Sequence, residues 1–156
     1  MSMLAEGAAG ETRSELDNAL NGCFFRNTDL GSNDTVKVTS ANSVWLDNDF
    51  AVKNEYVNHM AKEYNAVATV SDFSAPETVK AINDWCSEHT EGMIKGIVSK
   101  LSPEMKLVLA NALYFKGDWY KPFNAGLTKP GVFHGSKGDS DIDFMYKKDH
   151  FNYIVY

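Results

Sequence analysis

The sequence predicts an α+β fold, and three features carry that prediction. Residues 35–46 and 66–73 are rich in β-formers (Val36, Val38, Val44, Trp45; Val67, Thr69, Val70) and read as two strands. Between them Val52, Tyr56, Met60 and Tyr64 recur every four residues, with Val57 and Ala61 beside them, which draws one apolar stripe along a helix. Residues 106–115 (KLVLANALYF) form a nearly continuous apolar run. A half-exposed strand alternates and a strand covered on both faces does not, so this run is expected in the middle of a sheet.

The other elements follow in chain order. Residues 1–10 read as the end of a helix closed by Gly7 and Gly10. Thr12 and Glu15 have the spacing of a capping box, which predicts a short helix over 15–20, stopped by Gly22. Residues 26–34, rich in Asn, Asp, Gly and Ser, read as a loop. Ser74 and Glu77 form a second capping-box pair, with Pro76 in the first turn where a missing N–H costs little. Val79, Ile82 and Cys86 mark the buried face of the helix that follows, with Trp85 beside it, and Glu91-Gly92 should end it. Residues 102–104 are a turn, and after Asp139 residues 142–156 read as two more strands rich in Phe and Tyr. No internal repeat and no linker between domains is evident.

A chain of 156 residues suits one domain, and 44% hydrophobic with 23% charged residues argues against disorder. No run approaches the roughly 18 apolar residues of a membrane span, and no positive segment followed by an apolar stretch marks a signal peptide at the start. The net charge of −6, with no clustered Lys/Arg face, argues against nucleic acid and heparin-like polyanions as partners. Cys23 and Cys86 read as free, partly buried thiols, and with the four histidines they show no ligand-pair spacing for a metal. His59, His89, His134 and His150 have no nucleophile or carboxylate at a recognisable spacing and read as ordinary polar residues. There is no Gly-rich phosphate loop and no G-x-S-x-G elbow. No catalytic residue, cofactor or metal is therefore assigned, and the chain is not read as an enzyme.

Several motifs occur in a telling order: residues 2–12 (SMLAEGAAGET), 41–45 (ANSVW), 82–86 (INDWC) with 90–94 (TEGMI), and 111–119 (NALYFKGDW). Pro122, Phe123, Thr128, Phe133, Met145, Phe151 and Tyr153 follow. Together they resemble the serpins, a family of shape-changing protease inhibitors. The resemblance covers essentially the whole of this chain and less than half of a full family member. It implies a partial serpin domain over residues 1–156, taken from the N-terminal half and without the first helix, the C-terminal half and the reactive centre loop. Helices would pack on part of a large mixed or antiparallel sheet (sheet A), with pieces of the smaller sheets. Two departures stand out. Only a brief polar loop occupies residues 26–35, where the family usually places another helix, and Met93 stands where a lysine is usual.

The resemblance implies that the parent protein inhibits serine or cysteine endopeptidases by inserting its cleaved loop into the main sheet. The reactive-site bond is absent from this chain, which alone would be non-inhibitory. Asn111, Tyr114, Lys116, Gly117 and Trp119 would lie where the sheet opens and the loop enters. Asn83, Trp85, Thr90, Gly92, Pro122, Phe123, Thr128 and Phe133 would be structural. Asn111 has two readings: a member of the polar cluster that controls sheet opening, or a structural amide bonded to a neighbouring loop. Either way a side-chain amide in so apolar a strand must find partners, because leaving it bare costs about 1–3 kcal/mol. Family habit implies an extracellular setting and a target protease as partner, with no membrane and no nucleic acid. Exposed strand edges would favour self-association of the chain. A non-inhibitory carrier, chaperone or storage protein fits the same residues, and an unrelated enzyme or small binding domain would be revived by a different sheet order.

Overall fold

The computed structural model describes residues 1–24, 26 and 31–150. The chain forms two compact units, Met1–Lys116 and Gly117–Tyr156. In the first, helices α1 (Ser2–Glu6) and α2 (Gly10–Leu20) precede strand β1 (Val36–Asp47). Helix α3 (Asn54–Tyr64), strand β2 (Ala66–Ser71), helix α4 (Pro76–His89) and strand β3 (Leu107–Gly117) follow. The strand order is β2-β1-β3. β1 and β2 are parallel, in register from Asn42 opposite Ala66 to Asp47 opposite Ser71. Parallel neighbours need a crossover, and α3 supplies it. The Asp47 N–H donates to the Lys106 carbonyl while Asn111 reaches back to Ala41, so β1 and β3 run in opposite directions and the sheet is mixed.

Two apolar clusters share β1 as their wall. Val44 and Leu46 join Met3 of α1, Met60 and Tyr64 of α3, and Ala66, with Leu107 and Leu109 of β3 packed alongside. Trp45 points the other way, to Phe73 and Ile82, with Ala81, Trp85, Val98, Leu101 and Val108 around them. The alternation is that of a strand whose successive side chains face opposite sides. The Trp45 indole N–H is satisfied by Ser43 Oγ at 2.9 Å. Residues 43–47 are therefore buried in succession.

The carboxylate of Asp47 closes this end of the sheet. Its Oδ2 accepts from Lys106 Nζ at 2.7 Å, and its Oδ1 accepts from the backbone N–H of Phe73 at 3.2 Å and of Asn48 at 3.1 Å. The Lys106 bond, then the Phe73 amide, outweigh the effect of burial and hold its pKa at about 2, below the ordinary 3.8.

Several sequence expectations need correction. β3 is not in the middle of the sheet: among the described residues it is an outer strand, and β1 is the central one. Its apolar run is covered on both faces only at its start; Ala110 and Ala112 are buried, whereas Leu113 and Phe115 are 58% and 68% exposed. Neither capping box forms. α2 begins at Gly10, with Thr12 inside its first turn and no side-chain cap. What anchors that turn is Arg13, whose guanidinium bonds Asp17 (2.8 Å), Glu6 (3.3 Å) and the Ala5 carbonyl (2.8 Å). Gly10 thus opens a helix rather than closing one, and Asn21, in the left-handed region, ends it just before Gly22. At α4 the flanking residue is Ala75, and the Ser74 hydroxyl donates instead to Asp72 Oδ1 at 2.6 Å. The buried face of α4 is Thr78, Ile82 and Cys86, with Val79 only half-buried. Both cysteines are free, but Cys23 is exposed rather than partly buried.

In the second unit a short 3₁₀ turn (Ala125–Leu127) leads into a hairpin of β4 (Lys129–Gly135) and β5 (Gly138–Phe144). The expected pair of strands over 142–156 is displaced: β5 ends at Phe144, β4 lies upstream of Asp139, and residues 151–156 are outside the described ones.

The Asp47 junction makes a pH prediction. A carboxylate with a depressed folded pKa adds stability that is complete above its unfolded value, 3.8, and is lost as the pH falls toward about 2. Thermal unfolding followed from pH 6 to pH 2 should show this loss, and Asp47→Asn should start lower and flatten that acid limb. An unchanged acid limb in the variant would show that Asp47 does not carry it.

Candidate functional site

Strand β3 from Asn111 onward and the exit from α4 hold most of the site residues of the first unit. Asn111 is exposed, so burial is not what compels its bonding. Its Nδ2 nevertheless donates to the Ala41 carbonyl at 3.2 Å and to Asn42 Oδ1 at 2.9 Å. Both partners lie on the adjacent strand β1, not on a neighbouring loop. Asn42 in turn donates to the Tyr64 carbonyl at 2.8 Å. Asn111, Asn42, Ser40, Tyr64 and Leu113 line a groove of about 540 Å³. Farther along β3, Tyr114 is half-buried and Lys116 is exposed.

The exit from α4 is fixed by side chains. Thr90, buried, donates its hydroxyl to the Cys86 carbonyl at 2.8 Å and accepts from the Ile94 N–H at 3.1 Å. Glu91 (φ +52°) and Gly92 (φ +74°) then turn through the left-handed region, and the Gly92 N–H returns to the Ser87 carbonyl at 2.8 Å. A β-carbon is disfavoured in that region, which is why glycine suits position 92. Lys37 at the start of β1 bonds Glu91 at 2.6 Å, a bond that lowers the Glu91 pKa and raises that of Lys37. Asn83 grips the segment that comes back: its Oδ1 accepts from Ile97 (2.8 Å) and Val98 (3.1 Å), and its Nδ2 donates to the Val98 carbonyl (2.8 Å). Trp85 lies against His89 with ring centroids 4.7 Å apart, and its buried indole N–H has no partner among the described residues.

In the second unit Trp119 is exposed and meets Phe123 edge-on at 5.2 Å, with Lys147 over the other ring at 5.6 Å from its centroid. Pro122 is exposed, Thr128 ends the 3₁₀ turn by donating its N–H to Ala125, and Phe133 is exposed on β4. Gly117 is the last residue of β3.

The structure adds partners that the sequence reading missed. Asn42 and Lys106 bond across neighbouring strands, and Lys37 bonds Glu91 in the turn after α4; none of these pairs is visible in a local stretch of sequence. Two histidines have carboxylate neighbours after all. His134 Nδ1 lies 2.8 Å from Asp139, its register partner across the hairpin, and His59 Nε2 lies 3.6 Å from Glu6.

Known proteins match this architecture. A family model described as serpin (serine protease inhibitor) matches residues 1–156. The chain belongs to the serpin family. An uncharacterised serpin-like protein of Methanosarcina acetivorans is 30% identical over 98% of the chain and 40% of its own length. A serine protease inhibitor of Cyanea capillata is 30% identical over 99% of the chain and 45% of its own length. Among solved structures, a loop C-sheet serpin polymer superposes with a TM-score of 0.82 at 29% identity, covering 92% of this chain and 41% of that one. The chain thus spans less than half the length of the serpins it matches, and its α+β arrangement is the serpin fold over that part.

The α4 exit supports a stability prediction. Thr90→Val keeps shape but leaves the Cys86 carbonyl and the Ile94 N–H without their partner, which should cost about 1–3 kcal/mol. A urea midpoint that does not move would show that Thr90 is dispensable to this turn.

Proposed function

We propose that residues 1–156 are part of the N-terminal half of one serpin domain, and that its parent inhibits serine or cysteine endopeptidases by loop insertion. In that mechanism the protease cleaves an exposed bait loop and is acylated on it. The loop then enters the main sheet as a new strand, for which serpins are a standard example. The observation that favours this reading is the serpin family match over residues 1–156. Among the described residues β3 is an outer strand, and beyond Ala112 its apolar side chains Leu113 and Phe115 stand exposed. An outer strand offers backbone N–H and C=O groups to a further strand.

On this reading the segment from Asn111 to Trp119 borders the gap that receives the loop, with Tyr114, Lys116 and Gly117 along it. Helix α4 must let the new strand pass. Asn83, Trp85, Thr90 and Gly92 keep its exit in place, and Pro122, Phe123, Thr128 and Phe133 shape the second unit. The parent acts outside the cell, as serpin inhibitors commonly do, and its specificity resides in the bait loop. This chain by itself inhibits nothing.

The test uses the full-length parent. Incubated with trypsin-like, chymotrypsin-like and papain-like proteases, it should form a covalent complex stable in SDS, and the loop-cleaved protein should unfold at a much higher temperature than the native one. Cleavage without complex and without gain in stability would sink the inhibitory reading in favour of a carrier, chaperone or storage protein.

The exposed apolar residues of both outer strands, Val67 and Val70 on β2 and Leu113 and Phe115 on β3, also favour self-association of the isolated chain. Sedimentation velocity at rising concentration should show species larger than 17.3 kDa. A single monomeric boundary throughout would count against it.

A further inference from the structure

We infer that Asn42 is a positioning residue that ties the outer strand β3 to the C-terminal end of α3. Its carboxamide is used at both ends. Oδ1 accepts from Asn111 Nδ2 at 2.9 Å, and Nδ2 donates to the Tyr64 carbonyl at 2.8 Å. Tyr64 is the last residue of α3, and the last four carbonyls of a helix lack intrahelical donors. The residue after it, Asn65, turns through the left-handed region and ends the helix. The Tyr64 carbonyl accepts from the side chain of Asn42.

Three residues far apart in sequence are joined by this one side chain: Asn42 is 22 positions from Tyr64 and 69 from Asn111. The two bonds demand an acceptor on one side and a donor on the other. Neither a carboxylate nor an aliphatic side chain meets both demands. The location matters because cover over this face of β3 stops here. Leu107 and Leu109 pack into the cluster below α3, while Leu113 and Phe115, on the same face by strand alternation, are exposed. Beyond Asn111 the strand is held by its ladder to β1 and by this relay.

The inference deepens the proposed function and rests on it only in setting β3 beside the gap that receives the loop. The relay itself is tested without the parent. Amide hydrogen exchange would be measured along the 156-residue chain for wild type, Asn42→Ala, Asn111→Ala and the double variant. Each single change should speed exchange of the β3 amides over 111–116 by roughly 3- to 10-fold, the effect of losing one net hydrogen bond. The double variant should be no faster than either single, and β2 and α4 should be unaffected. A merely structural Asn42 would instead raise exchange throughout the first unit. Unchanged β3 exchange in folded Asn42→Ala, or effects that multiply in the double variant, would overturn the relay. Should Asn42→Ala fail to fold, Asn111→Ala, at an exposed position, decides alone: acceleration confined to β3 supports the relay and no acceleration overturns it. Failure of the parent to trap a protease would remove the functional reading and leave these exchange results standing.

Discussion

The first unit depends on covering the end of β1 from both sides. Ser43 to Asp47 are buried in succession, with Val44 and Leu46 against α1 and α3 and Trp45 against α4. Burying each such apolar side chain is worth about 1.5–3 kcal/mol, whereas an exposed ion pair such as Lys80–Asp84 contributes about 0–1 kcal/mol. The packing therefore sets the architecture, and surface charges adjust it. The parallel register of β2, the seat of α4 and the start of β3 all take their positions from this wall. Asp47 extends its influence by bonding Lys106 just before β3 and Phe73 just before α4.

Much of the fold was legible because periodicity is a local signal that survives folding. The four-residue recurrence through Met60 and Tyr64 marks α3, and both residues are buried. The β-branched stretch up to Asp47 marks β1. Capping patterns misled because a Ser or Thr three residues before Glu is a short motif that stronger bonds can override. Arg13 reaching α1 and Asp72 taking the Ser74 hydroxyl did so. The apolar run of β3 reports double cover faithfully at its start but not past Ala112, and sequence cannot say where neighbouring helices stop. Strand β4 escaped notice because Pro130 and Gly131 weaken any strand pattern, and its two-residue turn, Ser136-Lys137, lacks the usual hairpin dipeptides.

The candidate site was partly legible. An amide alone in an apolar strand draws attention to Asn111, and Gly92 after a helix announces a turn. Family resemblance added the ordering of motifs across the chain, which the matching serpins bear out. The bonding partners stayed hidden. Asn42 lies 69 residues before Asn111, Lys37 lies 54 before Glu91 and Asp47 lies 59 before Lys106. The first and last of these depend on strand register and the second on where α4 ends beside β1, and no local window contains either. His134 and Asp139 are only five apart, yet they meet through hairpin geometry that was itself missed.

The strand order carries a consequence for assembly. β1, α3 and β2 are consecutive in the chain and pair directly, so only short loops close when they come together. β3 reaches β1 across a separation of 59 residues between Asp47 and Lys106. Longer closure costs more chain entropy and is met later on the folding route. Of the two outer strands among the described residues, β3 is thus the one whose pairing closes the longer loop, at about 0.6 kcal/mol of chain entropy for each doubling of loop length.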